Sequence, residues 1–426
     1  MPPPDGSWRR VPGAYCPEVI TDLVSVEAIR DPFAVYRTLR EHGSVVWLPE
    51  HRAWFVSTHA EVQTAFRHPG LSSDRLTPVE RRLDDHRRSV LADTFELLRG
   101  WMVFHDPPQH ERLRLPLRQA FVPLAVERLR PFVARTVESF ATTIRERLAS
   151  GEVIDLVGEL AFPIPAIVIA ELLGVPASDR DEFKTWSADL ATVVFGTTAD
   201  PRRAEVAARG TRRFVDYFTA LVADRERHPG DDLISTLCAA RDLADPPIGA
   251  TELVGACTLL LFGGHETTTS AITLAAHSLS QHPDERAWLT DRPDATARAV
   301  EELHRFDGPS KVMVRIAGDD LVLGGAEIAA GDTVFLGLAA ANRDPLAFDD
   351  PERLHLDRPD AHRHVGFGHG IHHCLGAPLA RLETQVAVEA LLRELGEWEL
   401  AVASDELGWG ATVLGRGPGT LPIARR

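Results

Sequence analysis

The chain has 426 residues, of which 44% are hydrophobic and 25% charged, a balance typical of a globular protein with a large buried core. Its net charge of −16 argues against a nucleic-acid partner, which would require a basic surface. The four cysteines (Cys16, Cys238, Cys257 and Cys374) are scattered without a Cys-x-x-Cys pair, which argues against a disulfide framework or a cysteine-rich zinc site.

The sequence lacks the apolar segments that address a chain to a membrane or to secretion. No run approaches the roughly 18 apolar residues of a membrane span. The nearest candidates are Ala161–Val175, which prolines interrupt, and the short run Leu253–Phe262. Residues 1–16 are rich in proline and arginine and contain no apolar signal-peptide run. We therefore expect a cytoplasmic protein with no membrane partner and with a poorly ordered N-terminal tail over residues 1–17.

Hydrophobic periodicity predicts a mainly α-helical chain with a minor β component, that is, an α+β fold. Thr251 is the expected N-cap of the longest helix, and a proline ends that helix. In chain order, the pattern predicts a helix over Pro32–Glu41, strands over Ser44–Leu48 and Ala53–Ser57, helices over Val126–Leu148, Ser178–Val194, Arg203–Arg227, Thr251–Gln281 and Asp294–Phe306, a strand-rich part over Val312–Leu336, an irregular stretch over Asp344–Gly370 and a final helix over Pro378–Leu395.

The segment Phe367–Gly376 places three glycines in a short loop in front of the last helix, with Cys374 just before the helix N-terminus. The helix dipole and the free N–H groups there favour a thiolate. A lone cysteine is more commonly a small buried hydrophobe, so this alternative remains open at this point. Three other sites are disfavoured. Ile371 and His373 replace the third glycine of a dinucleotide loop, the neighbouring histidines lack zinc-ligand spacing, and the chain has no Gly-x-Ser-x-Gly elbow.

A second unusual segment, Gly263–Thr268, lies in the middle of the longest predicted helix and begins with two glycines. Each glycine costs about 1 kcal/mol relative to alanine in a helix interior, so some compensating role is expected. Close helix packing is one such role. The metalloprotease motif His-Glu-x-x-His does not fit, because Thr269 stands where the second histidine belongs.

The two segments together resemble motifs of the cytochrome P-450 family. The haem-binding signature of that family is matched by Phe367, Gly368, Gly370, His372, Cys374, Leu375 and Gly376, and Ala380-Arg381 continue it. The resemblance implies that Cys374 is the proximal ligand of the iron of haem b. A thiolate ligand donates electron density to the iron and favours O–O cleavage. By the same resemblance, Phe367 shields the sulfur, His372 meets a haem propionate, and Gly368 and Gly376 belong to the cofactor site.

The Gly263–Thr268 segment resembles the oxygen-activation motif of the same family, where a local kink opens a groove above the iron. The resemblance implies that Gly263 lies at the cofactor and that Glu266 and Thr267 form an acid–alcohol pair. The alcohol would hold a proton-donating water, and the carboxylate would resupply protons from solvent, so that one oxygen atom leaves as water.

Further family motifs appear in the expected order. Glu302 and Arg305, an i,i+3 pair that would ordinarily be a surface salt bridge, resemble the Glu-x-x-Arg motif that Arg358 completes as a structural lock. His110 and Arg114, four residues apart after Asp106-Pro-Pro108, would ordinarily form a solvated basic face. The resemblance instead implies that both meet haem propionates, together with Arg315.

The resemblance covers most of the chain, from about His110 to Arg381, and implies one domain over residues 1–426, with haem between a long distal helix and a proximal cysteine loop. It implies a monooxygenase that uses O2 and takes electrons from NAD(P)H through a separate ferredoxin and reductase. We expect a monomer that receives the ferredoxin near Arg112, Arg118 and Arg381. A peroxide-using haem-thiolate enzyme and a non-catalytic haem-binding helper protein are the alternatives; loss of the Glu266-Thr267 pair would favour the first, and loss of Cys374 or the glycines the second.

The expected substrate is a small organic molecule of natural-product or xenobiotic metabolism. The arginines at positions 81, 82, 87 and 88 could pair with a substrate carboxylate, although a charge run is more commonly a solvated face. The family's substrate-contacting regions correspond here to Arg81–Phe104, Trp186–Phe195, Leu259–Thr267, Val312–Val314 and Thr412–Leu414.

Overall fold

The structure is a computed structural model that describes residues 22–194 and 201–426. The predicted N-terminal tail, residues 1–17, lies outside the described residues, as does Phe195 at the end of one substrate segment. Within the described ranges the chain is mainly helical with four small sheets, as the sequence predicts. None of the helices described there is both long and apolar enough to cross a bilayer.

The helices contribute most of the molecule. In the first half they are α1 (Val26–Arg30), α2 (Pro32–His42), α3 (His59–Arg67), α4 (Leu76–Arg81), α5 (Asp85–Val90), α6 (Ala92–Arg99), α7 (Gln109–Arg114), α8 (Pro123–Glu127), α9 (Arg130–Ala149) and α10 (Pro163–Leu173). In the second half they are α11 (Arg180–Val194), α12 (Pro201–Arg227), α13 (Leu233–Ala240), α14 (Ala250–Gln281), α15 (Pro283–Thr290), α16 (Thr296–Asp307), α17 (Leu338–Ala341) and α18 (Ala377–Glu394).

The strands are short and group into sheets of two to five. They are β1 (Val45–Leu48), β2 (Ala53–Val56), β3 (Leu71–Ser72), β4 (Ile154–Asp155), β5 (Val312–Ala317), β6 (Leu321–Leu323), β7 (Ala326–Ile328), β8 (Thr333–Gly337), β9 (Trp398–Leu400), β10 (Trp409–Ala411), β11 (Arg416–Pro418) and β12 (Pro422–Arg425).

The largest sheet has the order β1-β2-β8-β5-β3, so it joins residues 45–72 to residues 312–337. Strands β2 and β8 pair in parallel, with Ala53 opposite Thr333, whereas β5 pairs with β8 in antiparallel fashion, with Val314 opposite Phe335. Separate apolar clusters pack against this sheet. The main core lies between the long helices, where α14 packs on α10, α12 and α18 and buries residues such as Ile272.

Two details of the predicted helices are wrong at their N-termini. The helix predicted over Val126–Leu148 is divided into α8 and α9, because Pro131 falls in the first turn of α9 and lacks the N–H needed to continue a helix across that point. Helix α14 begins at Ala250 rather than after Thr251. Its N-cap is Gly249, whose N–H donates to the Glu252 carboxylate at 2.9 Å.

Candidate active site

The proximal loop, Phe367–Gly376, is held by its own backbone in front of α18. The Cys374 N–H donates to the carbonyl of Phe367 at 2.8 Å, which closes the loop. Gly368 and Gly370 have φ angles of +74° and +69°, a left-handed conformation that side chains disfavour. A Cβ built on Gly376 would meet no atom within 4 Å, so a flat group can approach the backbone there.

The thiol of Cys374 is accessible, although the protein surrounds it closely enough for burial to dominate its electrostatics. Burial raises the pKa of Cys374, while the N–H groups of Gly376 and Ala377 and the charges of Arg114 and Arg381 lower it. The helix N-terminus therefore acts in the predicted direction, but burial outweighs it and the net pKa lies above the ordinary value. The added charge of a metal ion at the sulfur would reverse this balance, since a coordinating thiol is deprotonated.

Helix α14 presents an open face to the interior at the Gly263–Thr268 motif. Gly263 and Thr267, one turn apart, are both exposed although they lie in the middle of a 32-residue helix. The Thr267 hydroxyl donates to the Gly263 carbonyl at 2.9 Å. The segment stays α-helical throughout, so the departure from regular helix expected here is limited to this side-chain bond, of a type that often bends helices.

The two glycines of this motif have different surroundings. A Cβ on Gly264 would lie 2.8 Å from Cγ1 of Ile169, so Gly264 allows α10 to pack closely on α14. A Cβ on Gly263 would meet nothing within 4 Å. The packing alternative therefore explains Gly264, whereas Gly263 borders open space, as a cofactor site requires.

The carboxylate of Glu266 lies beside the open face of α14. Its side chain is 41% exposed, and Oε1 lies 3.4 Å from Nε2 of the buried His265. Burial raises the pKa of Glu266, but the nearby His265 and the charge of Lys184 outweigh it, and the net pKa is below the ordinary value. Glu266 and Thr267 are neighbours on α14, so a proton-donating water could be held by one and resupplied by the other.

Histidine and arginine side chains lie together next to the proximal loop. His110 and His372 have ring centroids 4.1 Å apart, and both ring nitrogens of His110 are buried with no hydrogen-bond partner among the described residues. Burial and the charge of Arg114 lower the pKa of His110 to about 4; burial and the charge of Arg315 lower that of His372 to about 3. The Arg114 guanidinium donates to the carbonyl of His373 at 2.8 Å, so it is fixed to the loop.

Arg315 and Arg75 complete this group, and Arg75 was missed in the sequence. The pKa of each is lowered to about 10, mainly by burial; the charge of Arg315 contributes to the shift of Arg75, and Asp106 partly opposes the shift of Arg315. Both arginines lower the pKa of His372. Within the described parts of the chain, neither forms an ion pair with a carboxylate. Ser73, also missed, hydrogen-bonds His372 Nε2 at 2.9 Å through its hydroxyl. The buried Arg315, the half-buried Arg75 and the partnerless His110 fit a dianionic ligand, such as the two propionates of haem.

The Glu-x-x-Arg motif forms the predicted buried lock. Arg305 donates two hydrogen bonds to the Glu302 carboxylate, of 2.6 and 2.8 Å, and Arg358 donates a third, of 3.1 Å. Both guanidiniums also donate to backbone carbonyls of the irregular stretch, including that of Arg353. All three side chains of the triad are buried, with exposed fractions of 0%, 1% and 5%. The triad ties α16 to the chain that leads into the proximal loop.

The surface charges around the site differ from the sequence interpretation at the expected docking face and agree with it at the 81–88 arginine run. Arg112 pairs with Glu252 and Arg381 pairs with Glu301, so only Arg118 of the three expected docking arginines is exposed without a carboxylate partner among the described residues. Arg87 and Arg88 each lie near the aspartate three residues earlier, at 3.5 and 2.9 Å, and the arginines at 81 and 82 are exposed. This charge run is therefore a solvated face.

Comparison with known proteins matches most of the chain to a single family. The family described as Cytochrome P450 matches residues 82–290 and 294–405. The chain is 38% identical to the vitamin D(3) 25-hydroxylase of Pseudonocardia autotrophica over 94% of its own length and 96% of the relative. It is 34% identical to the 6-deoxyerythronolide B hydroxylase of Saccharopolyspora erythraea, covering 95% and 98% of the two chains.

A solved structure gives the same result for the fold. A myxobacterial cytochrome P450 in complex with myristic acid superposes with a TM-score of 0.86 and 34% identity, over 96% of this chain and 100% of the other. Family match, relatives and fold agree with the motifs around Cys374 and Gly263. The chain therefore belongs to the cytochrome P450 family.

Proposed function

We propose that this enzyme oxidises an apolar small molecule of natural-product metabolism, with Cys374 as the iron ligand and Glu266 and Thr267 as the proton-delivering pair. The chain is a haem-thiolate monooxygenase, and such enzymes use haem, O2 and electrons from NAD(P)H through redox partners. The observation that carries the assignment of residues is that two motifs are accessible inside the fold: the Cys374 thiol is exposed, and the Gly263–Thr267 face of α14 borders open space.

The proposed binding residues follow from the charged and histidine side chains beside the proximal loop. Haem, when bound, supplies the iron chemistry that activates O2. His110, Arg114, Arg315 and His372 would hold its propionates, and Arg75 is an added candidate. An anionic partner would raise the pKa of His110 again, because it favours the charged imidazolium. Gly263 and Gly376 would leave room for the group, since a Cβ on either would meet no atom within 4 Å, and Phe367 and Gly368 would belong to the loop that holds it.

The proposed proton path uses only side chains of α14. Thr267 holds a water through its hydroxyl, which in this structure bonds to the Gly263 carbonyl. Glu266, whose carboxylate is partly exposed, takes protons from solvent and passes them to that water. Retention of both residues is what separates this proposal from the peroxide-using alternative, which does not need the pair. Retention of Cys374 and Gly263 argues against the non-catalytic helper.

An apolar substrate is supported by the five substrate segments. Each carries a partly buried apolar side chain: Val103, Val194, Leu259, Val314 and Val413. The paired, solvated arginines at 87 and 88 give no support to a substrate carboxylate at that position. The relatives named for vitamin D(3) and for 6-deoxyerythronolide B, together with the neighbour that holds myristic acid, are consistent with a largely apolar ligand.

The proposed electron donor is a ferredoxin that docks beside the proximal loop. The exposed apolar side chains of Leu115, Leu124 and Ile371 lie on the segments that surround this loop, and Arg118 adds positive charge near Arg114. An acidic ferredoxin would meet an apolar patch with a cationic edge. The proposal includes a monomeric enzyme that works in the cytoplasm, where NAD(P)H and its reductases supply the electrons.

The proposal is tested by reconstitution with a ferredoxin, its reductase and NAD(P)H. A library of apolar natural products is first titrated against the haem spin-state spectrum, and the best ligand is then used as the substrate. Product should form only with all redox components present, and the rate should fall as salt is added. Arg118→Glu should lower this rate, whereas Arg213→Glu on the exposed side of α12 should not.

Two results would contradict the proposal. Turnover by hydrogen peroxide alone that matches the reconstituted rate would favour the peroxide-using alternative. Substantial NAD(P)H-dependent turnover by the isolated chain would exclude the separate electron donor.

A further inference from the structure

Glu301 is a carboxylate with partners of its own, although it is adjacent to the buried Glu302 triad. Its Oε1 accepts a hydrogen bond from Arg381 Nε at 2.6 Å, and its Oε2 accepts one from Arg381 Nη2 at 3.0 Å. A forked pair of this kind fixes the plane of the guanidinium as well as its position. His364 and Arg381 hold the pKa of Glu301 at about 2 against the effect of burial, so the carboxylate is ionised.

His364 binds the same carboxylate from the start of the proximal region. Its Nδ1 accepts the Gly366 N–H at 3.0 Å, so the proton of the ring lies on Nε2, which donates to Glu301 at 3.1 Å. The side chain of His364 is only 1% exposed. Glu301 therefore anchors the residues just before the loop and the first turns of α18 to the same point on α16.

The anchored Arg381 lies against the residue that closes the loop. Its guanidinium carbon is 4.5 Å from the ring centroid of Phe367, and the carbonyl of Phe367 accepts the Cys374 N–H at 2.8 Å. The charge of Arg381 is felt at the Cys374 sulfur, where it favours the thiolate. Arg381 is also 33% exposed, so without Glu301 the guanidinium could extend into water.

We propose that Glu301 is a positioning residue that holds Arg381 over Phe367 and, through Arg381, raises the reduction potential of the iron bound at Cys374. A positive charge near a thiolate ligand stabilises the state that carries the additional electron. Residues behind the ligands are a general means of tuning a metal site. This inference rests on the proposed function, because it requires Cys374 as the iron ligand.

The sign of the change in reduction potential distinguishes a positioning role of Glu301 from a direct effect of its charge. If Glu301 acted only by its own charge, then removing that charge would raise the potential. If Glu301 acts through Arg381, then its loss releases the guanidinium, the positive charge moves away from the sulfur and the potential falls. The two accounts therefore predict opposite shifts for Glu301→Gln.

The experiment measures the reduction potential of the holoenzyme by spectroelectrochemistry. Arg381→Gln should lower the equilibrium constant for one-electron reduction about tenfold, which corresponds to about 59 mV. Glu301→Gln should shift the potential in the same direction by a smaller amount, and Glu301→Asp should recover part of the loss. In the double variant, Glu301→Gln should add no further decrease. Glu394→Gln, which removes an arginine-paired carboxylate at the far end of α18, is the matched control and should leave the potential unchanged.

A rise in potential in Glu301→Gln, or an equal effect of Glu301→Gln in the presence and absence of Arg381, would overturn the inference. If Glu301→Gln binds haem poorly, Glu301→Asp still tests the inference: it keeps the charge and weakens the forked pair, so positioning through Arg381 predicts a small decrease in potential and direct electrostatics predicts none. The wild-type reduced, CO-bound spectrum is recorded in the same samples. A missing thiolate band there would contradict the proposed function itself, whereas a normal band with unchanged potentials would contradict only the role of Glu301.

Discussion

The proximal and distal sides of the site hold their polar side chains in different ways. On the proximal side, Glu302, Arg305 and Arg358 are buried and hydrogen-bonded to one another and to backbone carbonyls. On the distal side, Thr267 is exposed and Glu266 is partly exposed, and both have few protein partners. The difference indicates that the proximal residues fix a loop, whereas the distal residues remain available to water and oxygen.

This comparison also explains why two glutamates, Glu302 and Glu266, take different roles. An acidic residue that is fully satisfied by two guanidiniums cannot exchange protons with solvent, whereas a partly exposed carboxylate can. Substitutions on the proximal side should therefore reduce stability and haem retention. Substitutions on the distal side should leave the fold intact and change the chemistry.

The largest effect is expected from Glu302→Gln. The substitution leaves Arg305 and Arg358 buried without their carboxylate, and breaking a buried pair costs about 3–5 kcal/mol of the free energy of unfolding. Thermal or denaturant unfolding of the holoprotein measures the loss. The neighbouring exposed pair of Arg298 and Asp357 provides the control, because Asp357→Asn should cost no more than about 1 kcal/mol. Equal stability of the two variants would show that the triad is not a lock.

The next effect concerns Thr267. Thr267→Ala should leave haem binding and substrate binding nearly intact while product per NAD(P)H falls by about 10²–10⁴-fold, the usual contribution of a general acid–base group. The electrons should then appear as H2O2. Glu266→Gln should slow O2 consumption more than it uncouples it, because the supply of protons is lost rather than the local donor.

Product, H2O2 and NAD(P)H are measured together for Thr267→Ala and for the nearly isosteric Thr267→Val. Normal coupling in both variants would mean that Thr267 only packs or bonds to Gly263. Loss of coupling in both would place the hydroxyl in the proton path.

The smallest expected effect is a difference in stability between alanine substitutions of the adjacent Gly263 and Gly264. Gly264→Ala should destabilise the protein by about 1–3 kcal/mol, because the new methyl group would overlap Ile169. Gly263→Ala should not, since its methyl group enters open space and alanine favours a helix by about 1 kcal/mol. It should instead weaken substrate binding or turnover. A paired measurement of unfolding temperature and substrate affinity checks both, and a reversed order of stabilities would contradict the packing assignment.

Much of the helical framework could be predicted, because long amphipathic helices carry a strong local pattern. Helix α14 and the triad of Glu302, Arg305 and Arg358 were found from spacing and from a family resemblance. The parallel pairing of β2 with β8 could not be predicted, because it joins segments about 280 residues apart and short strands carry little pairing information.

The parts of the site that the sequence did not predict all depend on tertiary contacts. Arg75 and Ser73 lie in an unremarkable Ser-Asp-Arg run, and only folding brings them to His372. The N-cap at Thr251 was wrong because Glu252 binds the Gly249 N–H. The sequence interpretation places Arg381 on a docking face, whereas in the structure Glu301 binds its guanidinium. A local pattern does not reveal which carboxylate a cation will meet.

The most direct test of the central claim, that Cys374 is the thiolate ligand of the haem iron, is the spectrum of the reduced, CO-bound protein. The wild type should show the red-shifted Soret band of thiolate ligation, and Cys374→Ala should lose that band. Cys257→Ala, which changes a fully buried cysteine on α14, is the control and should keep it. A thiolate spectrum that survives in Cys374→Ala would contradict the account.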